Sequence, residues 1–278
     1  MAKKKIGIIG GGISGAGLAY HLSLYEGEAD VTVFEKDTIG GASTAKSAGT
    51  VCLFDDSLKN RYWDVRLYGF ESYLKMEEEE KGSAGFDKTG TLVVATNEEV
   101  EKVIKTGIAL AKAAGYTGEY ITDKDRIKEI LPDISTENIL GAGYTEDDGY
   151  FDGTMISNTY MKKAQKNGVT VKTGVKVTDV KIVDNKVKGL VLENSETGEK
   201  EELMVNGIFP FIGLDPMTQC AKSLGIVNSA GYIDANENME TAVKGIFVAG
   251  DVRNKQLRQV VTATNDGAIA GQYIASLK

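Results

Sequence analysis

Hydrophobic and polar positions follow two different periods along the chain. Short runs of β-branched and aromatic residues at Ile6–Ile9, Val31–Phe34 and Thr91–Thr96 predict strands. Between Phe34 and Val169 four segments are predicted as helices, and in residues 57–81 the apolar positions recur at the spacing of a helix surface; another helix, of small residues, is predicted directly after the first strand. The predicted helices span, in chain order, residues 16–24, 57–81, 98–114, 123–131 and 154–167.

From Val169 onward the pattern becomes that of β-structure. Val169–Lys172 is predicted as the third strand of a parallel sheet. Three alternating segments, joined by turns at Asp184-Asn185 and Thr197-Gly198, predict an antiparallel meander, and Gly207–Gly213 is predicted as a buried strand that leaves it. The meander segments are residues 175–183, 186–193 and 200–205.

The turn after the first strand carries glycine at three spaced positions, Gly10, Gly12 and Gly15, in the pattern G-x-G-x-x-G. Gly10 permits a tight turn, Gly12 lets the backbone approach a pyrophosphate, and Gly15 lets the helix pack on the strand. The helix N-terminus adds free N–H groups and the positive end of its dipole. Glu35 ends the second strand, 20 residues after Gly15, where a carboxylate accepts hydrogen bonds from ribose hydroxyls. Together these features predict a dinucleotide site.

The composition narrows the class of protein. The 278 residues are 42% hydrophobic and 26% charged, and the net charge of −8 argues against nucleic acid or an anionic membrane as partner. No apolar run reaches the length of a membrane span, and residues 6–20 lack the flanks of a signal peptide, so we expect a cytoplasmic location. With 2 distant cysteines and 1 histidine, a CxxC pair, a structural metal site and a histidine-activated nucleophile lack the residues that they need.

A second glycine–acid pattern lies near the C-terminus. An apolar strand predicted over 245–249 ends in Gly250-Asp251, and a loop then leads into a helix of small residues. This pattern resembles the second flavin-binding motif of flavoproteins with two dinucleotide folds. The resemblance implies FAD as the cofactor, with Asp251 accepting a hydrogen bond from a ribitol hydroxyl. It also implies that the backbone around Gln259 and Val260 faces the flavin pyrimidine.

These elements predict an α/β fold, an FAD-binding Rossmann-like domain of the two-dinucleotide-fold type with a β-meander. Residues 51–150 are extra to that fold. Because they are too long for a loop in a compact domain and carry a strand and helices of their own, we expect an inserted α+β lid or substrate subdomain there. The FAD-binding domain would then comprise residues 1–50 and 151–278.

Residues 4 to about 168 resemble the D-amino-acid oxidase and glycine oxidase superfamily of amine-oxidising flavoproteins. The resemblance implies an FAD-dependent oxidoreductase that takes a hydride from a small amine or amino acid to flavin N5. That family draws an Arg and a Tyr for the substrate carboxylate from strands before the last FAD motif, and residues 214–244 are too short for those strands. The segments that carry the resemblance are the glycine turn, Glu35-Lys36, Gly41–Gly49 and Asp147–Asp152.

Residues from about 169 to 278 resemble the C-terminal part of low-molecular-weight thioredoxin reductase. That enzyme needs a redox CxxC and a second dinucleotide motif for NADPH, and this sequence has neither. The chain is therefore interpreted either as an engineered or ancestral-type chimera or as a compact natural flavoprotein that kept both features. The similar segments are Gly207–Gly213, Asn236–Thr241 and Gly245–Gly271.

The resemblances imply FAD contacts along several segments. Lys46 has two interpretations, an ammonium near the flavin or a phosphate and a solvated loop lysine. Cys52 likewise reads as a small buried residue or as a reactive or flavin-linked thiol, and the first reading is favoured. The implied contacts, besides Gly10, Gly12, Gly15, Glu35 and Asp251, are Ile13 and Ser14 at the pyrophosphate, Lys36 at the ribose and adenine, Ala42, Ser43, Lys46, Ala48 and Gly49 beside the ribityl chain and ring, Val177 at adenine, Gly213 near the phosphates, and Gly250.

Three functions stay open at this stage. The first is oxidation of a small amine or amino acid, without an identified general base and with an unknown electron acceptor. The second is an FAD-binding module or electron-transfer subunit without efficient substrate chemistry of its own. The third is a flavin reductase fed by free NAD(P)H, which the missing nucleotide motif weakens. The oligomeric state is also open, with a homo-oligomer as one alternative.

Overall fold

The computed structural model describes residues 3–25, 29–54, 62–213, 216–258 and 260–277. The chain divides into two compact units, unit 1 (Met1–Phe211) and unit 2 (Ile212–Lys278). No helix in the described part of the chain is long and apolar enough to cross a membrane. The elements of unit 1 are β1 (Lys4–Ile9), α1 (Ile13–Ser23), β2 (Ala29–Glu35), β3 (Thr50–Val51), α2 (Trp63–Glu79), β4 (Thr91–Ala95), α3 (Glu98–Ala113), β5 (Glu119–Ile121), α4 (Lys124–Ile130), β6 (Gly141–Thr145), β7 (Gly149–Tyr150), α5 (Gly153–Lys166), β8 (Thr170–Thr173), β9 (Val175–Val183), β10 (Lys186–Asn194), β11 (Lys200–Met204) and β12 (Gly207–Pro210). Unit 2 contains α6 (Val260–Ser276), and short 3-10 helices occur at Thr44–Lys46 and Gln219–Leu224.

The principal sheet has the strand order β12-β1-β2-β8, and all of its strands are parallel. Ile6 pairs with Val31, and Val33 pairs with Val171, so the predicted third parallel strand is confirmed. Helices α1 and α5 pack together through Tyr20 and Tyr160, whose ring centroids lie 5.1 Å apart. This is the predicted α/β arrangement, with the turn after β1 at the C-terminal edge of the sheet.

The strand β12 differs from the prediction of a buried strand over Gly207–Gly213, which is wrong. It is only Gly207–Pro210, and it forms the edge of the sheet with β1 as its neighbour. Ile208 packs against the core between the sheet and the meander, whereas Phe209 is 41% exposed. An edge strand leaves part of its apolar surface uncovered. An apolar edge strand and a buried strand look alike in sequence, so the pattern alone predicted burial.

The meander is confirmed as three antiparallel strands in the order β11-β10-β9. Asp184 and Asn185 have φ of 50° and 56°, the left-handed values that a tight two-residue hairpin turn requires. Leu190 and Leu192 of β10 are buried against Phe34 of β2, which attaches the meander to the principal sheet.

The region between β3 and β7 has its own three-stranded antiparallel sheet, in the order β4-β6-β5. Helix α3 begins after Asn97, whose side-chain oxygen accepts a hydrogen bond from the Val100 N–H at 3.0 Å. Of the helix predicted over 57–81, residues 63–79 are helical and 57–61 lie outside the described residues. The assignment of residues 51–150 to a lid or substrate subdomain stays a prediction.

Unit 2 has a small core of its own, formed by Ala221, Ile226, Ile233 and Val248. The strand predicted over 245–249 is wrong, because within the described part of unit 2 this segment makes one isolated bridge, between Glu240 and Phe247. Val248 of this segment is buried in the core of unit 2, and Ile246 packs against it.

Candidate functional site

The glycine turn connects β1 to α1 in the geometry that its sequence predicts. Gly10 has a φ of 107°, and its N–H donates to the Phe34 carbonyl at 2.8 Å, which joins the turn to the neighbouring strand. A Cβ on Gly15 would overlap with the carbonyl oxygen of Gly10, so only glycine lets the helix lie this close to the turn. Helical hydrogen bonding begins where the Ala16 N–H donates to the Gly12 carbonyl at 2.9 Å.

Besides the Gly10 N–H, two backbone donors of the turn have partners within the protein. The Gly11 N–H donates to Glu35 Oε2 at 2.8 Å, and the Ile13 N–H donates to Thr44 Oγ1 at 3.1 Å. Within the described ranges, the N–H groups of Gly12, Ser14 and Gly15 have no acceptor. Three N–H groups at a helix N-terminus are therefore available to an anionic ligand such as a pyrophosphate.

Glu35 has a structural contact that the sequence did not predict. Its two oxygens accept from the Gly11 N–H at 2.8 Å and the Asp37 N–H at 2.9 Å, so the carboxylate braces both the glycine turn and the end of β2. A carboxylate oxygen has more than one lone pair, so these bonds leave capacity for ribose hydroxyls. The side chain of Lys36 is exposed, and its carbonyl accepts from Ser195 Oγ at 3.1 Å.

The small-residue loop after β2 lies against the glycine turn. The Gly40 N–H donates to the Gly11 carbonyl at 3.0 Å, and Thr44 accepts from Ile13. At its far end, the Gly49 carbonyl accepts from the Phe151 N–H at 3.0 Å. Sequence reasoning missed Thr44, because one threonine among small loop residues gives no signal of its distant partner. The predicted contact residues of this loop that are exposed are Ala42, Ser43, Lys46 and Ala48.

The remaining predicted contacts of the adenine and phosphates lie on different elements. Val177 is on β9, an edge strand of the meander, and packs against the core that contains Leu192. An edge strand keeps backbone groups on one side without a ladder partner, which suits the predicted grip on adenine. Gly213 belongs to unit 2, is exposed and has a φ of 91°.

In unit 2, a buried carboxylate organises the loop that follows Gly250. Asp266 is fully buried, and its oxygens accept from the Gly250 N–H at 3.1 Å, from Arg253 at 2.9 and 3.1 Å, and from Lys255 Nζ at 2.8 Å. Burial alone would raise the pKa of Asp266, but hydrogen bonds from Arg253 and Lys255 outweigh it and lower the pKa to about 2. Sequence reasoning missed this residue, although two cations before a small-residue helix that contains one acid are a usable signal.

Asp251 itself is exposed, and its backbone carbonyl accepts from Arg258 Nε at 3.2 Å. The Arg258 guanidinium lies 4.0 Å from the centroid of the Tyr232 ring, a cation–π contact. Val260 begins α6, and Gln259 lies outside the described residues. The Asp251 side chain is thus left open to a ligand while its backbone is held.

A second buried carboxylate lies in unit 1, beside Cys52. Both oxygens of Asp148 accept from the Leu53 N–H at 3.0 Å, and burial raises the pKa of Asp148 to about 6. Burial and the nearby Asp148 also raise the pKa of the Cys52 thiol. A raised pKa keeps this thiol protonated and weakly nucleophilic, which favours the reading of Cys52 as a small packing residue.

Comparison with known proteins supplies the family. Residues 5–265 match the family described as FAD dependent oxidoreductase (DAO). The chain belongs to this family. Its cofactor is accordingly FAD, and the glycine turn, its available N–H groups and Glu35 form a cradle of the kind that a dinucleotide requires.

Individual relatives resemble parts of this FAD-dependent oxidoreductase. The thioredoxin reductase of Bacillus subtilis (strain 168) is 46% identical over 98 residues, which are 35% of this chain and 31% of that protein. The L-proline dehydrogenase of P. horikoshii superposes with a TM-score of 0.61 at 25% identity, covering 81% of this chain and 56% of that one. Glycine oxidase of Bacillus cereus ATCC 14579 superposes with a TM-score of 0.54 at 22% identity, over 75% of this chain and 55% of that one.

The lengths of these matches limit what they imply. The chain spans about a third of the length of the curated relatives that it matches and about half of the solved structures. The resemblances to amine-oxidising flavoproteins and to thioredoxin reductase are both confirmed as similarities of part of the chain.

Proposed function

We propose that this FAD-dependent oxidoreductase oxidises a small amine or amino acid. The observation that carries the proposal is the glycine turn, with three N–H groups available at the start of α1, in a chain of this family. The resemblance to L-proline dehydrogenase at 25% identity over 81% of the chain supports an amino acid as the class of substrate.

In this proposal the protein binds and orients the cofactor, and FAD, when bound, supplies the redox chemistry by accepting a hydride from the substrate carbon. The N–H groups of Gly12, Ser14 and Gly15 hold the pyrophosphate, and Glu35 holds the ribose while it braces the turn. Asp251 holds the ribityl chain. The other proposed FAD contacts are Gly10, Ile13, Lys36, Ala42, Ser43, Lys46, Ala48, Gly49, Val177, Gly213, Gly250, Gln259 and Val260.

No side chain of the described residues is assigned as a general base. Cys52 is disfavoured because its thiol has a raised pKa, and Asp148 because its side chain is fully buried, where it accepts from the Leu53 N–H. A substrate amine that enters in its neutral form can lose a hydride without a protein base. We therefore expect the rate to rise with pH as the substrate amine loses its proton.

The proposal is tested by adding substrates to the purified protein without oxygen. The protein is expected to be yellow, and its flavin absorbance near 450 nm should bleach with at least one member of a panel of small amines and amino acids. A Gly12→Val variant should fold, because an added Cβ meets only Thr44 Oγ1, at 3.0 Å, but it should remain colourless, because the branched side chain would occupy the place of the pyrophosphate. Protein that takes up no FAD on reconstitution would contradict the proposal.

The second candidate function, an FAD-binding module that exchanges electrons with a partner protein, is favoured by the short segment 214–244. That segment leaves no room for the strands that carry the substrate-carboxylate ligands in the amine-oxidising family. The same anaerobic experiment separates the two candidates. A module would bleach with dithionite but with neither the amine panel nor NADH.

A further inference from the structure

Asp266 accepts hydrogen bonds from three residues that lie outside its own helix, α6. It lies on α6 and is fully buried, with 1% side-chain exposure, yet its partners all come from the preceding loop. Gly250 contributes its backbone N–H, Arg253 contributes two guanidinium N–H groups, and Lys255 contributes its ammonium. One side chain therefore fixes both ends of the segment from Gly250 to Lys255.

The charges of this cluster are unbalanced. Arg253 and Lys255 share the single carboxylate of Asp266, so the cluster carries one net positive charge. The Lys255 side chain is only 7% exposed, and that of Arg253 is 22% exposed. Removing one partner of a buried ion pair costs much more stability than removing one partner of an exposed pair, because the remaining charge stays desolvated.

The residue held between these contacts is Asp251, whose side chain is exposed. We infer that Asp266 is a positioning residue, which presets the Gly250–Lys255 backbone so that Asp251 is oriented toward FAD before the cofactor arrives. The inference rests on the proposed function, since it takes Asp251 as an FAD ligand. It adds to it a residue that does not touch the cofactor and two cations, Arg253 and Lys255, close in sequence to the proposed ribityl ligand.

The first test measures FAD affinity by flavin fluorescence for the full chain and for Asp266→Asn. The amide keeps the size of the side chain but loses the charge, and we expect the dissociation constant to rise about ten- to hundredfold. Glu240→Gln is the matched control. Glu240 is also an acid of unit 2 that accepts a backbone N–H, from Gly245 at 3.0 Å, and its substitution should leave the affinity within about twofold.

The second test uses a property that a purely structural role would not move, the midpoint potential of the bound flavin. Reduction adds electrons, so loss of a nearby positive charge makes reduction less favourable. Lys255→Met should therefore lower the potential, whereas Asp266→Asn, which removes a negative charge, should raise it. Should Asp266→Asn fail to fold, Lys255→Met alone carries this test, since methionine fills the same space.

The outcomes separate this inference from the proposed function. A wild-type chain that binds no FAD overturns the proposed function and the inference with it. A wild-type chain that binds FAD, with Asp266→Asn binding equally tightly, overturns the inference alone. A Lys255→Met variant with unchanged potential also overturns it, because the net charge of the cluster would then have no effect on the flavin.

Discussion

The two glycine–acid motifs of this chain are held in shape by different forces. In unit 1 the turn from Gly10 to Gly15 is fixed by steric fit and by hydrogen bonds from its backbone N–H groups to Phe34, Glu35 and Thr44. In unit 2 the loop after Gly250 is fixed by charge, through the buried Asp266 and its two cations. The first motif depends on glycines that have no side chain, and the second depends on ion pairs between charged side chains.

This difference predicts different responses to substitution. A steric fit fails when a single methyl group is added, irrespective of pH or salt. A charge cluster tolerates changes of shape better than it tolerates a change in ionisation, because each unpaired buried charge is costly.

The steric fit in unit 1 is tested at Gly15. A Cβ there would overlap with the Gly10 carbonyl, so Gly15→Ala should abolish FAD binding and destabilise the chain by about 3 kcal/mol. Gly17→Ala is the matched control in the same helix, where an added Cβ meets no atom within 4 Å. It should stabilise the chain by about 0.5–1 kcal/mol. Urea unfolding of both variants measures these changes, and equal stabilities would contradict the steric account.

The same contrast explains what could be predicted from the sequence. The turn at Gly10 and Gly15 was predictable because its determinants are local. Glycines repeated directly after a strand indicate positions where a side chain does not fit. Thr44 and Asp266 were not predicted, since each acts on a backbone group that lies 31 or 16 positions away. The hydrophobic run at Ile246–Ala249 predicted a strand, but the segment forms none, and it places only Val248 in the core; a core residue and a strand residue look alike in sequence.

The effect of buried charge on stability is tested at the two buried aspartates, Asp148 and Asp266. Asp148 has a pKa raised from 3.8 to about 6, so the folded chain binds more protons than the unfolded chain between these values. Its contribution to stability is therefore present below about pH 4 and lost as the pH rises to about 6, a change of about 3 kcal/mol. Asp266 behaves oppositely. Its pKa of about 2 means that its contribution is lost only as the pH falls below 4 toward 2.

The measurement is the free energy of unfolding in urea at several values between pH 4 and pH 7, for wild type, Asp148→Asn and Asp266→Asn. Asp148→Asn should remove part of the pH dependence, because asparagine does not titrate yet can still accept from Leu53. Asp266→Asn should lower stability by a similar amount at every pH in this range. If the curve of Asp148→Asn runs parallel to that of wild type, the carboxyl does not titrate where its burial places it.

A smaller effect is expected when a single acid is removed from each motif. Glu35→Ala and Asp251→Ala should each weaken FAD binding by about 1–3 kcal/mol, the scale of lost charge-assisted hydrogen bonds. They should differ in the protein without FAD. Glu35→Ala also removes the acceptor of the Gly11 and Asp37 N–H groups and should lower the stability of the apoprotein, whereas the exposed Asp251 should not. Calorimetric titration with FAD and unfolding of the apoproteins test both statements, and unchanged affinity in both variants would show that the acids are misassigned.

The last expected result is an absence of activity: the protein should not reduce thioredoxin with NADPH. The similarity to thioredoxin reductase covers 35% of this chain, and that activity needs a disulfide and a nicotinamide site besides the flavin. Cys52 and Cys220 are not part of a CxxC pair, and burial keeps the Cys52 thiol protonated. The only G-x-G-x-x-G of the sequence is the one proposed here for FAD. An assay with this chain as the sole flavoprotein should therefore show no NADPH-dependent reduction of thioredoxin, and the same lack of turnover is expected for Cys52→Ala and Cys220→Ser. Turnover that disappears in either cysteine variant would mean that the two thiols act as a redox pair after all, and that the likeness to thioredoxin reductase extends to its chemistry.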